Sequence, residues 1–146
     1  MKSARSFFSD EQQDEIKQAI LNAELDTSGE IRVHIENSCP GDVLDRAAKV
    51  FKILGMHKTE LRNGVLIYLA IKNRKFAIIG DSGIHAVVDK GYWDNSKAKM
   101  LEAFRDGQFT EGLTAVILDV GVKLKSFFPH KPDDVNELPD EISFGK

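Results

Sequence analysis

The sequence predicts a three-layer αβα sandwich around a small, mostly parallel mixed sheet with one β-hairpin, and three observations carry that expectation. Val65 to Ile71 is an unbroken apolar run with β-branched members, bounded by Arg62-Asn63-Gly64 and by the basic turn Lys72-Asn73-Arg74-Lys75. Such a run reads as a strand buried on both faces, which places it inside a sheet. A second strand, Phe76 to Ile79, follows the turn closely enough to make a hairpin. Amphipathic helices flank the pair, and a strand dry on both sides needs a helical layer above and below it.

The elements follow in order. Ser9 with Asp10, Glu11 and Gln12 is a capping-box pattern, with Phe8 as a staple, and starts a helix from about Asp10 to Leu25 with Ile16, Ala19, Ile20 and Ala23 at helical spacing. Asp26-Thr27-Ser28-Gly29 ends it, and Glu30 to Glu36 then alternates strictly, as a strand with one drier face does. Its polar positions place His34 at the surface. A loop from Asn37 to Asp42 leads to a helix whose predicted apolar stripe is Leu44, Ala47, Ala48, Phe51 and Leu54. That helix joins the first strand to the second as a parallel βαβ crossover.

After the hairpin, Gly80 to Gly91 forms loops, and a helix runs from roughly Tyr92 to Asp106 with Met100, Leu101 and Phe104 inward. Gly107 stops it. Thr110 is positioned to cap a last helix bearing Leu113, Ile117, Val120, Leu124 and Phe127, which Pro129 ends. Strand order stays open at this level. The predicted domain spans 8–128, and 129–146 is an acidic tail without helical periodicity, either mobile or docked through Leu138, Ile142 and Phe144.

A chain of 146 residues can bury one real core. Its formal charge of −3 gives no electrostatic footprint for nucleic acid or an anionic membrane, and no apolar run approaches the length of a membrane helix. A soluble, cytoplasmic protein with no nucleic-acid or membrane partner is expected. A single cysteine, Cys39, excludes an intramolecular disulfide. It stands at a helix start, where a thiolate is favoured, but without a recognisable His partner.

Several loop residues could carry chemistry. Asp81 follows the buried hairpin with His85 nearby, Asp89 and Asp94 sit on the next loop and helix start, and His57 and Glu60 lie on the loop entering the central strand. Hard divalent cations take several oxygens from loops, whereas His favours a transition metal. Asp81, Asp94, Asp89, Glu60 and His57 are therefore the candidate metal ligands, with Ca2+ favoured and Mg2+ or Zn2+ as alternatives. Each acid alone is equally a solvated carboxylate or a helix cap. Arg62 is a candidate anion-binding residue, because a guanidinium between the two loops could hold phosphate oxygens. The same tripeptide is also a plain turn in which Gly64 supplies the positive φ. Gly80-Asp81-Ser82-Gly83 matches a serine-protease fragment, but four helices and a small sheet are the wrong context for that nucleophile.

The succession Thr27-Ser28-Gly29-Glu30-Ile31-Arg32-Val33, Arg62-Asn63-Gly64-Val65-Leu66-Ile67-Tyr68, Phe76 to Ile84, and Phe104-Arg105-Asp106-Gly107 through Leu113 resembles the TPM domain family. That family is named for thylakoid and photosystem-associated members and a nematode receptor modulator. The similarity covers about residues 8 to 128. It implies an αβα sandwich, divalent-metal binding at the loops beyond the sheet, and an acid-phosphatase activity in plant members. Many relatives carry a signal peptide and a membrane helix, so this chain resembles a stand-alone version. The leading expectation is a metal-responsive interaction or regulatory module with an unknown protein partner. The alternative is a metal-assisted acid phosphatase acting on a small phosphoester.

Overall fold

The computed structural model describes residues 3–89, 91–130 and 142–145. A short helix α1 (Ala4–Phe7) precedes α2 (Asp10–Glu24), β1 (Glu30–Glu36) and α3 (Val43–Ile53). A 3-10 turn at Met56–Lys58 leads into β2 (Gly64–Ala70) and β3 (Lys75–Gly80). Then come α4 (Ser82–His85), α5 (Tyr92–Arg105), α6 (Phe109–Phe127) and a two-residue strand β4 (Ser143–Phe144). The capping box at Ser9 and Gln12 forms as its residues predict, and Phe8 is buried ahead of it.

The sheet order is β3-β2-β1-β4. β1 pairs in parallel with β2 and with β4, and β2 pairs antiparallel with β3. β2 is buried along its whole length, as its unbroken apolar run requires. Odd-numbered residues of the two central strands, Ile31, Val33, Ile35, Val65, Ile67 and Leu69, join Ile16, Ile20, Met100, Leu113, Ile117 and Val120 in one core under α2, α5 and α6. Even-numbered Leu66, Tyr68 and Ala70 join Ala47, Val50, Phe51 and Met56 in a second core under α3. The period-2 alternation of a strand thus sorts each strand between two helical layers.

Several local expectations are corrected. The inward stripe of α3 is Ala47, Val50 and Phe51, while Leu44 is 48% exposed and Ala48 also faces water. The helix sits with its Ala47–Phe51 side on the sheet, so residues one helical step away turn outward. On α5 the buried residues are Trp93, Ser96 and Met100, and Leu101 is exposed. Thr110 does not cap α6: Gln108 holds the cap position without a side-chain bond, and Thr110 lies buried in the first turn. Gly107 reverses the chain between α5 and α6 at φ 75°, where glycine carries no Cβ penalty.

The acidic stretch of the predicted tail and Leu138 fall outside the described residues. Of its remaining residues, Ile142 and Phe144 pack on the larger core and β4 covers the outer edge of β1. Arg5 lies over the Phe144 ring at 5.0 Å. Gly145 donates its N–H to the Ile35 carbonyl, and any side chain there would run into the Glu36 carboxylate and the His34 ring.

Candidate functional site

The loop before β2 and the loop after β3 meet at one rim of the sheet, because β2 and β3 are antiparallel and the start of one lies beside the end of the other. Asp81 closes the ladder by donating its N–H to the Gly64 carbonyl at 3.0 Å. Gly83 then donates its N–H to the Arg62 carbonyl at 2.9 Å, an approach so close that a Cβ on Gly83 would strike the Leu61 and Arg62 backbone. Glycine is required there by space.

Arg62 and Asp81, both singled out in the sequence, are brought together. Arg62 Nε and Nη2 donate to Asp81 Oδ2 and Oδ1 at 2.7 and 2.8 Å, a bidentate pair across the two loops. Asp81 also caps α4 by accepting from the Ser82 N–H at 2.7 Å. Its side chain is 6% exposed, whereas that of Arg62 is 48% exposed. Burial alone would raise the Asp81 carboxyl. The Arg62 hydrogen bonds and the Ser82 amide outweigh burial and hold it below its ordinary value.

The turn chemistry differs from expectation. Arg62, not Gly64, takes the positive φ, at 53°, and Gly64 is the first residue of β2. The left-handed residue sits where its guanidinium can fork onto Asp81. Serving an ion pair rather than a free anion site is the role the geometry gives Arg62.

The other candidates are placed as follows. His57 is half-buried in the 3-10 turn, its Nδ1 buried without a hydrogen-bond partner, and its charge bears on Asp81. Thr59, 3% exposed, has its hydroxyl in the same condition. Glu60, Asp89 and Asp94 are exposed, Asp94 in the first turn of α5. Among the described residues, no group of three or more His, Cys, Asp or Glu side chains converges so as to hold a metal ion. Ser82 is exposed at the start of α4, and Trp93 packs over Gly80 directly behind Asp81.

A second polar constellation lies at the opposite end of β1 and was not legible as a site. His34 is 6% exposed and Glu36 2% exposed, which corrects the surface placement of His34. Glu36 accepts from Arg46 Nε and Nη2 at 2.9 and 2.6 Å and from the Tyr68 hydroxyl at 2.6 Å. His34 Nε2 stands 3.1 Å from Glu36, and its Nδ1 stands 2.7 Å from the Ser143 hydroxyl. Burial alone would raise the Glu36 carboxyl, but the bonds from Arg46, Tyr68 and His34 hold it down to about 2. Burial lowers His34 from its ordinary value more than its bond to Glu36 raises it. Burial and the bond to Glu36 push the Tyr68 phenol up. The face of β1 that looked solvated is dry because α3 brings Arg46 over Glu36 while β4 and Gly145 close over His34. The only signal was Glu36 and Arg46 at a distance of ten residues, across a loop.

Cys39 is buried, its sulfur within 3.7 and 3.9 Å of the Gly41 and Asp42 carbonyls, and its amide donates to Asn73 at 2.6 Å. It serves the loop fold.

The TPM domain family profile matches residues 2–122. The chain belongs to the TPM domain family. Among solved structures it is similar to the BA42 protein of the psychrophilic bacterium Bizionia argentinensis, at 44% identity and TM-score 0.90, over 99% of this chain and 100% of that one. The fold is shared with the N-terminal domain of a P. gingivalis protein, at 21% identity and TM-score 0.71, over 86% of this chain and 83% of that one. It is shared also with the N-terminal domain of the cg2496 protein of Corynebacterium glutamicum, at 17% identity and TM-score 0.66, over 90% and 82%. No curated protein matches. None of the helices formed by the described residues is long and apolar enough to cross a membrane.

Proposed function

We infer that this TPM domain is an interaction module whose two-loop rim responds to a divalent cation, with Ca2+ favoured over Mg2+ or Zn2+. The observation that supports it is the Arg62–Asp81 pair, which ties the loops together through one buried carboxylate and one half-exposed guanidinium. As folded, the rim does not fit a metal ion: Arg62 takes both Asp81 oxygens, and no three donors converge among the described residues. Arg62 is itself the cation on Asp81. Metal binding at the rim would require Arg62 to release Asp81, whose carboxylate would then serve as a ligand. Without the pair the side chains would no longer clasp one loop to the other, and the surface offered to a partner protein would change.

The test is an amide NMR titration of the intact chain with Ca2+, Mg2+ and Zn2+, beside Arg62→Gln and Asp81→Asn. Saturable shifts confined to 56–64 and 80–95 are expected below millimolar metal, with affinity at least threefold higher in Arg62→Gln and lost in Asp81→Asn. No response below millimolar metal in either the parent chain or Arg62→Gln overturns the reading. The same samples are assayed against a phosphoester panel, which tests the phosphatase alternative directly. Turnover abolished by a chelator and by Asp81→Asn selects the phosphatase instead.

A further inference from the structure

The other end of the sheet holds a cavity that the rim does not use. It opens at the carboxyl end of β2, where the β2–β3 hairpin turn, the α5–α6 turn and α1 fail to close over one another, and measures about 500 Å3. That size lies within the ~300–1,000 Å3 of small-molecule pockets, and the carboxyl ends of strands are where open α/β sheets bind ligands.

Its wall is apolar and largely aromatic. Phe7, Phe76, Phe104 and Phe109 line it together with Leu69 and Ile71. The rings are fixed against one another: Phe7 and Phe109 at 5.1 Å, Phe104 and Phe109 at 5.1 Å, and Phe76 edge-on to Phe104 at 5.6 Å. All four are only partly buried. An apolar wall left in contact with water is a driving force for an apolar guest.

The mouth is cationic. Arg74, from the hairpin turn, and Arg105, from the last turn of α5, both line the cavity and are exposed. Neither makes an ion pair among the described residues. Among the described residues no Asp or Glu lines the cavity, although Glu102 and Asp106 stand near Arg105 in the chain. In a protein of net charge −3, two guanidinium groups without an ion pair among the described residues stand at the edge of an aromatic wall, a local concentration of positive charge.

We propose that this cavity binds a soluble amphipathic carboxylate, with the hydrocarbon body against Phe76, Phe104 and Phe109 and the carboxylate at Arg74 and Arg105. A guanidinium fork matches a carboxylate, and the apolar body supplies the burial. This site is independent of the Arg62–Asp81 rim.

The probes are sodium decanoate, below its micelle concentration, and decanol as its uncharged counterpart. Decanoate is expected to give saturable amide shifts in 69–76 and 101–109, with decanol at least tenfold weaker. Arg74→Asn combined with Arg105→Gln, both on the surface, should weaken decanoate at least tenfold and leave decanol unchanged. Leu101→Trp, which adds bulk to an exposed lining residue, should block both. Shifts scattered over the surface, equal binding of decanol, or binding indifferent to the two arginines overturns the proposal. So does concentration-dependent self-association of the unliganded chain through these residues, because the occupant is then a second copy.

Discussion

Each end of the β1–β2 pair carries an arginine fork on a nearly buried carboxylate, and the two differ in what surrounds the acid. Glu36 receives Arg46 twice, Tyr68 once and His34, which ties β1, α3, β2 and, through His34 and Ser143, β4 into one network. Asp81 receives Arg62 twice from the loop before β2 and the amide of Ser82 at the start of the short α4. One acid is locked by side chains of regular elements on three sides. The other is held by a loop arginine with a left-handed backbone. The same ion-pair chemistry is buttressed by regular elements at one end, a rivet, and rests on a loop arginine at the other, the clasp whose release is proposed above.

The largest expected effect comes from breaking the rivet. Glu36→Ala leaves the wholly buried Tyr68 hydroxyl without its acceptor, while Arg46 can turn to water, so the cost falls short of that of a stranded buried charge. A loss of about 2–3 kcal/mol is expected in urea denaturation. A loss below about 1 kcal/mol would show that the network contributes no more than an average surface pair.

Acid sharpens the contrast next. The Glu36 carboxyl is held at about 2 against an ordinary 4.5, and His34 lies below its ordinary 6.5, so on acidification the unfolded chain takes up these protons first. Stability present above both ordinary values is then lost as pH falls. The His34 part goes below about 6.5 and the Glu36 part between about 4.5 and 2. Urea midpoints measured from pH 7 to pH 3 should fall in that manner, and Glu36→Gln should flatten the lower portion. An unchanged slope in that variant would place the acid sensitivity elsewhere.

Arg62→Gly combined with Asp81→Asn should move the urea midpoint least. The pair of changes removes the fork without leaving a charged carboxylate unpaired, keeps a side-chain oxygen for the Ser82 amide, and gives the positive φ to the residue that tolerates it best. A midpoint shift as large as that of Glu36→Ala would mean that the clasp is as structural as the rivet.

The helices and central strands were legible because their signals are local. The Ser9–Gln12 capping box, the run from Val65, and the repeats of α2 and α6 each lie within a few residues of chain, and the structure follows them except at Phe127, which the end of α6 leaves 43% exposed. Misplacements occurred where packing chose between equally apolar sides. α3 buries Val50 rather than Leu44, and α5 turns Leu101 outward. Of the proposed rim residues, Arg62 and Asp81 do meet, because hairpin antiparallelism could be read from the chain. That they neutralise each other could not be read, since it rests on the left-handed turn at Arg62.

The sequence by itself determined the segments that form β1 to β3 and the helices α2, α3, α5 and α6, that β2 lies inside the sheet, and that the loops on either side of the hairpin share a rim, because periodicity and short turns act between near neighbours. It gave no sign of α1, α4 or β4. Only the tertiary structure decided the order β3-β2-β1-β4, the burial of His34 and Glu36, and the return of the C-terminal Ser143 to His34, a contact between residues 109 apart. Those features follow from which surfaces are brought face to face when the layers close. A charged residue on an alternating strand carries no mark of whether water or an arginine from the next helix will meet it.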